Sequence, residues 1–378
     1  MFKDLRLGLV IAFCLFCSSC RAGDSPAAQV QAPARLADAQ LELPREINLL
    51  AMADWGMLNQ RQRAVAATIA NHVRSSDKEY AAMLTGGDNI YVQPKSADDP
   101  IWDQVFEQMY DPRVLNFPFY VTPGNHDYEH GKIPIELAYA RQNPNSRWKF
   151  PSTYYRLDFP EGADNSAQRP LVTVLMLDSC KDQMGSRNWE AQTEWLREQL
   201  QNPRNGTWLF CVAHHPLYSN GDHGDNGVLQ RTWGTLFAQH AVDMYICGHD
   251  HDLQHLELPG VQTSFILVGG GGATTRPMRI DRRGPFSKST YGFADLNITP
   301  TTVTVKFIGP DGKVLHAFER TKSGDVEVLK PGQRDPAKPR TARTINQPDQ
   351  PATTRSTTRP TTTETPASAT TQTLNPKD

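Results

Sequence analysis

The sequence predicts an α/β layered fold in which paired sheets are covered by helices. Three observations lead there. Across residues 45–320, short apolar runs of strand length alternate with longer stretches of helical period. The short runs are rich in Val, Ile, Leu and aromatic side chains, as buried strands are. Several of them also end in a turn carrying Asp, Asn or His, in a class of fold where ligands collect at the carboxyl ends of strands.

Taken in order, Ile47–Ala53 reads as a strand and Gln60–Val73 as a helix with Ala, Val and Ile on one face. Ala81–Leu84 is a strand, Trp102–Tyr110 a helix and Phe117–Thr122 a strand. After an insertion come the strand Leu171–Leu177 and the helix Trp189–Leu200. The strand Trp208–Ala213, the helix Val228–His240, and the strands Val242–Cys247 and Phe265–Val268 continue the pattern. Val303–Ile308 and Val314–Phe318 close the domain as an antiparallel hairpin around Pro310-Asp311-Gly312.

The chain has 378 residues and a net charge of -2, which gives no reason to expect nucleic acid or an acidic membrane surface as a partner. A monomer is expected. Lys3 and Arg6 precede Leu7–Phe16, an apolar run too short to span a bilayer, and Cys17-Ser18-Ser19-Cys20 follows. Residues 1–20 therefore read as an export signal. Cys20 fits the cleavage point of a bacterial lipoprotein, which would anchor the chain to a membrane through the lipidated cysteine, although Cys17 stands where an aliphatic residue is usual. The other reading is cleavage near Ala22 and release. Either way the protein is expected outside the cytoplasm.

Residues 21–44, rich in Ala, Gln and Pro, read as a flexible tether, and 321–378 as a disordered Thr/Pro-rich tail with too little apolar surface to offset its ordering entropy. Three of the six cysteines lie in the signal. The odd remainder of Cys180, Cys211 and Cys247 makes no disulfide framework, and Cys211 and Cys247 sit in apolar runs as buried thiols. Asn205-Gly206-Thr207 and Asn297-Ile298-Thr299 match the glycosylation triplet, which matters only in a eukaryotic host.

The strand ends carry the chemistry. The first ends at Asp54, the second at Gly86-Gly87-Asp88 with Tyr91 close behind, and the third runs into Gly124-Asn125-His126-Asp127. Two later strands end at His214-His215-Pro216 and at Gly248-His249-Asp250-His251. Each has a bland explanation, as a turn, a cap or a hydrogen-bonded histidine; five such turns together point to a two-metal site. Mixed oxygen and nitrogen ligands suit iron, zinc or manganese better than calcium or magnesium. Asp88, between the two ligand groups in chain order, is the expected bridge. Two cations about 3.5–4 Å apart clamp an oxyanion and activate water for in-line displacement, and a phosphate monoester is the substrate that needs this most. Among the other histidines, the spacing to Pro216 favours His214 over His215, His240 and His255 read as surface or packing residues, and His130 as a solvated loop position. Asp250 either orients a ligand histidine or caps its turn.

The set Asp54-x-Gly56, Gly87-Asp88-x-x-Tyr91, Gly124-Asn125-His126-Asp127, Val212-Ala213-His214 and Gly248-His249-Asp250-His251 resembles the calcineurin-like metallophosphoesterases. Tyr91 narrows the resemblance to purple acid phosphatases. Ala138-Tyr139, Arg147-Trp148-x-Phe150-Pro151-Ser152 and Tyr155-Arg156-Leu157 are similar to the tartrate-resistant type. The resemblance implies a β-sandwich of two mixed sheets flanked by helices (αββα layers), with 45–320 as a single catalytic domain. It implies Fe(III) on Asp54, Asp88, Tyr91 and His251, and Fe(II), Zn(II) or Mn(II) on Asp88, Asn125, His214 and His249. It also implies phosphate monoester hydrolysis by metal-hydroxide attack, with His126 contacting phosphate and His223 helping to protonate the leaving group. Phosphodiesterase or phosphoprotein phosphatase activity, or a surface phosphate- or metal-binding role with vestigial activity, are the alternatives.

Two departures from the family stand out. Ala53 replaces a usual glycine before Asp54, a change the local geometry is expected to tolerate. The segment Ser179–Trp189 is short where mammalian relatives carry a longer loop, and Cys180 has no evident partner there. An enzyme that needs no proteolytic activation is therefore expected.

Overall fold

A computed structural model of the chain describes residues 46–161, 169–201, 208–279 and 283–330. The export segment 1–20, the tether 21–44, the triplet at Asn205 and the tail past residue 330 lie outside them. The first half of the fold contributes β1 (Ile47–Met52), β2 (Tyr80–Thr85), β3 (Phe119–Val121), β4 (Trp148–Lys149) and β5 (Tyr155–Phe159). Then come β6 (Val172–Met176), β7 (Trp208–Val212), β8 (Met244–Cys247), β9 (Leu253–Leu256) and β10 (Ser264–Val268). The chain closes with β11 (Phe286–Lys288), β12 (Phe293–Ile298), β13 (Thr302–Ile308), β14 (Val314–Thr321) and β15 (Val326–Val328).

These strands form two mixed sheets, ordered β15-β14-β13-β12-β1-β2-β3-β4 and β11-β9-β10-β8-β7-β6-β5. Strands β1, β2 and β3 run parallel, as do β6, β7, β8 and β10. Alternation of side chains along each strand sets the layers. Val174, Met176, Phe210, Val212, Met244 and Ile246 share one core with Leu49, Ala51, Met83 and Phe119 of the other sheet. Their neighbours Leu175, Leu177, Leu209, Cys211, Tyr245 and Cys247 pack instead against Trp189, Leu196, Trp233 and Phe237 of two covering helices. The expected sandwich of two mixed sheets flanked by helices is therefore the observed fold. Cys180, Cys211 and Cys247 are buried free thiols.

The helix expected over Gln60–Val73 spans Gln60–Ser75, started by Asn59, whose side chain accepts from Gln62 N at 2.9 Å. The one expected over Trp189–Leu200 spans Ser186–Gln201. Two others depart from α geometry. Asp103–Glu107 winds as a π turn, and Gln230–Gly234 is a π turn set between the α segments Gly227–Leu229 and Thr235–Gln239. The insertion left open in the sequence holds the helix Lys132–Gln142 together with β4 and β5.

Strand β12 escaped the sequence reading because Asp295 and Asn297 interrupt its apolar run. Both are buried and partnered. Asp295 receives Lys78 and Tyr80 and lies 3.0 Å from His72 Nε2, and Asn297 donates to Asn48 Oδ1 at 2.7 Å. The Asn297 triplet thus lies inside the sheet between β1 and β13, which removes it as a surface glycosylation acceptor. At the other end, β15 pairs with β14 beyond residue 320, where the sequence reading ended the domain. The apolar Val326 and Val328 extend the sheet by one short edge strand.

Candidate metal centre

The ends of β1, β2 and β3 in one sheet meet the ends of β7 and β8 in the other along one edge. The seam is stitched by Ala53 N donating to Val268 O at 2.9 Å and by Gly271 N donating to Ala53 O at 3.0 Å. Just past these ends the backbone turns sharply. Asp54, Asp88 and His249 have φ of 59°, 49° and 69°, the left-handed region that side chains seldom adopt. Residues held this way cost about 1–3 kcal/mol each and gather at functional sites. Glycines make the close approach feasible: a Cβ on Gly124 would stand 2.2 Å from Asp88 Oδ1, and one on Gly248 would stand 2.3 Å from Asp54 Oδ2. The missing side chains of Gly248 and Gly86 also leave room for the Ala53 methyl group, so the substitution before Asp54 is accommodated.

All nine sequence-derived site residues join one connected set. Tyr91 Oη lies 3.0 Å from Asp88 Oδ2, 3.3 Å from Asp54 Oδ1 and 3.4 Å from His251 Nε2. His214 Nε2 lies 3.1 Å from Asn125 Oδ1, 3.3 Å from Asp88 Oδ2 and 3.2 Å from His249 Nδ1. Asp88 therefore touches both groups, in the bridging position. His126 donates its backbone N–H to Asp88 Oδ1 at 2.8 Å, and its ring, a third exposed, flanks Tyr91. The His223 ring lies 3.9 Å from that of His249.

The donor set is what a cation requires. His214 Nδ1 is engaged by Gly86 O at 2.9 Å and His251 Nδ1 by Thr274 O at 2.8 Å, so each ring carries its proton there and turns a lone pair inward. Facing those lone pairs are carboxylate oxygens, an amide oxygen and another imidazole: acceptors facing acceptors. Without a cation a trapped proton takes up the strain. Burial works to raise the Asp88 carboxyl and to lower His214, yet their mutual attraction wins, holding Asp88 below the usual carboxylate range and lifting His214 to about 9. Burial raises Asp54. Burial, followed by the charges of Asp54 and Asp88, keeps the Tyr91 phenol far from ionisation, so a phenolate there needs positive charge beside it. His215 lies against His249, but its Nδ1 is engaged by Ser179 Oγ at 2.9 Å, and burial holds it down at about 3. His255 is fully buried against Phe318, and His130 is exposed in the single 3-10 turn Glu129–Gly131 and not in the expected loop.

Three residues have roles at the site that the sequence did not indicate. The Asp127 carboxylate accepts the N–H groups of Asn89, Ile90 and Gly124 at 2.8–3.1 Å, as well as Asn89 Nδ2, tying the Asp88 turn to the Asn125 turn. Its motif position was visible in the sequence, but backbone partners leave no sequence signal. Asp250 neither orients a metal-facing histidine nor merely caps its turn: its Oδ1 lies 2.9 Å from His223 Nδ1 and accepts the His223 N–H. Arg276 brings Nη1 within 2.9 Å of His223 Nε2 from a loop that carried no motif.

Residues 47–253 match the calcineurin-like phosphoesterase family. The chain belongs to that family. Tartrate-resistant acid phosphatase type 5 of Sus scrofa is 30% identical over 300 residues, covering 71% of this chain and 85% of that protein. The Mus musculus protein of the same name is 29% identical, with 71% and 88% covered. Purple acid phosphatase 4 of Arabidopsis thaliana is 26% identical over 313 residues, with 75% and 86% covered. Among solved structures, the purple acid phosphatase of yellow lupin seeds superposes with a TM-score of 0.55 at 16% identity, covering 75% of this chain and 54% of that one. GAP50, the anchor in the inner membrane complex of Plasmodium, reaches 0.62 at 19% identity, with 72% and 88% covered. These two likenesses bear on the fold alone. The phosphoesterase is of the purple, tartrate-resistant acid phosphatase type, an enzyme class that carries a binuclear metal centre.

Tyr91→Phe is expected to abolish the visible absorption band of the metal-loaded protein while leaving its far-UV circular dichroism unchanged. An unaltered visible spectrum would remove the tyrosinate.

Proposed function

We propose that this phosphoesterase acts outside the cytoplasm and hydrolyses phosphate monoesters, with Fe(III) on Asp54, Asp88, Tyr91 and His251 and Fe(II), Zn(II) or Mn(II) on Asp88, Asn125, His214 and His249. The observation that carries the reading is the pair of inward-facing imidazole lone pairs, His214 against Asp88 and His251 against Asp54, with the Tyr91 hydroxyl touching both carboxylates. Tyr91 on one side favours a hard trivalent ion, and neutral Asn125 with two imidazoles on the other favours an exchangeable divalent one. Bound there, the cations supply charge neutralisation for the phosphoryl group and an acidified water.

The chain's own residues supply the rest. His126, one-third exposed beside Asp88, faces the phosphate at the rim. His223, also one-third exposed, has its Nδ1 held by Asp250 and its Nε2 met by Arg276 Nη1 at 2.9 Å; once substrate displaces Arg276, Nε2 is the atom that delivers a proton to a leaving alkoxide. Among the described residues no helix is long and apolar enough to cross a membrane. Attachment, where present, then rests on Cys20, and the mass of the mature N-terminus separates lipidation there from cleavage near Ala22. A single small-molecule substrate and a monomeric state complete the proposal.

A surface phosphate- or metal-binding protein with vestigial activity is the second reading, and turnover separates the two. Metal-loaded protein is expected to turn over p-nitrophenyl phosphate at least tenfold faster than bis(p-nitrophenyl) phosphate. The reverse order would make it a diesterase, and no turnover of either would support the vestigial reading. His223→Ala is expected to slow alkyl phosphates about 10²-fold or more, while p-nitrophenyl phosphate, whose leaving group needs no proton, slows far less. Equal slowing of both would remove His223 as the acid.

A further inference from the structure

Beside the metal centre lies a cavity of ≈ 360 Å³ lined by His215, His223, His249, Asn226 and Arg231 among others. His223 and His249 both line it. If His223 protonates the leaving alkoxide, the alcohol part of the substrate occupies this cavity, because the proton must arrive on the bridging oxygen from the side on which the alcohol departs. The cavity is therefore the leaving-group site, a conclusion that rests on the phosphomonoesterase reading above.

Its charge is unbalanced. Asp225, the one carboxylate among its lining residues, is engaged by Arg283, with Nη2–Oδ1 at 2.7 Å and Nη1–Oδ2 at 2.9 Å. Asp222 nearby is paired with Arg279 at 2.9 Å. Arg231 has no such partner: among the described residues no carboxylate lies within ion-pair range of its guanidinium. A smaller adjoining cavity shares His215, Asn226 and Val228, but its Lys181 and Asp182 oppose one another and add no net charge.

The helix places Arg231 deliberately. It sits in the π turn Gln230–Gly234, the kind of irregularity that recurs at functional positions. Side chains on a helix lean towards its N-terminus, and Arg231 lies back over Gly227, where an added Cβ would stand 3.1 Å from Nη1. Gly227 thus leaves the guanidinium room along the cavity wall that a side chain there would crowd by a few tenths of an ångström. An unpaired guanidinium, with its fork of donors, is the natural partner of a carboxylate or a second phosphate.

We propose that Arg231 is a specificity-determining residue: it binds a second anionic group on the alcohol portion of the substrate, so that the enzyme favours phosphomonoesters whose leaving group is itself anionic. The matched probes are 4-carboxyphenyl phosphate and its neutral isostere 4-carbamoylphenyl phosphate. The wild-type protein is expected to favour the carboxylate about fivefold in kcat/KM, the size appropriate to a partly solvated ion pair. The preference should fall to about one in Arg231→Ala, invert in Arg231→Glu and persist in Arg231→Lys. Binding of the non-hydrolysable 4-carboxybenzylphosphonate and 4-carbamoylbenzylphosphonate, measured by calorimetry on metal-loaded protein, should show the same order. This second readout keeps the two claims apart, because absent turnover alone would count against the phosphatase while the phosphonate affinities still decide Arg231. A wild-type ratio of one, or a preference that survives Arg231→Glu in both measurements, would overturn the assignment.

Discussion

One buried carboxylate governs the centre. Asp88 leaves β2 through a left-handed turn, is shielded from water, and touches Tyr91 on one side and His214 on the other. Its second oxygen accepts the His126 N–H. An ionised group in such surroundings is costly unless positive charge is near. A proton on His214 serves when nothing else is present; two cations serve better, because they also satisfy the lone pairs of Asn125, His249, Asp54 and His251. The strained backbone at three positions persists because the surrounding sheets hold it there.

That hold is distributed. Asp127 gathers four N–H groups from two turns, and Trp55 Nε1 donates to Asn89 Oδ1 at 3.1 Å, linking the Asp54 turn to the Asp88 turn. Behind Trp55 stand Phe106, Tyr110 and Trp148, in edge and tilted contacts at 5.3–6.0 Å. Two sheets must therefore pack correctly before the site exists. Changes deep in the aromatic cluster should reach the centre through Trp55 although they touch no donor atom.

Much of this was legible in the sequence because each donor follows a strand, and strands of parallel type bring their carboxyl ends to one edge. Asp54, Asp88, Asn125, His214 and His249 could be read that way, and Tyr91 and His251 by short offsets from them. What was not legible depends on contacts that carry no local pattern. β12 was hidden because buried Asp295 and Asn297 look like surface residues until their partners across the sheet are known. The roles of Asp127, Asp250 and Arg276 were hidden because their partners are backbone groups or a distant histidine. The π turn that carries Arg231 lies inside the helix expected over Val228–His240, since periodicity alone does not register one inserted residue.

The rim divides the labour between two partly exposed histidines of different surroundings. His126 leans over Tyr91 and Asp88, whereas His223 is set by Asp250 and approached by Arg276, in the wall of the cavity that Arg231 also lines. Everything at the rim presupposes cations beneath it. The most direct test is metal analysis of the purified, metal-loaded protein alongside Asp88→Asn. Two transition-metal ions per chain, with both lost or greatly weakened when the bridge is neutralised, are predicted. A chain that binds none, or that keeps a full pair without the Asp88 charge, would contradict the account.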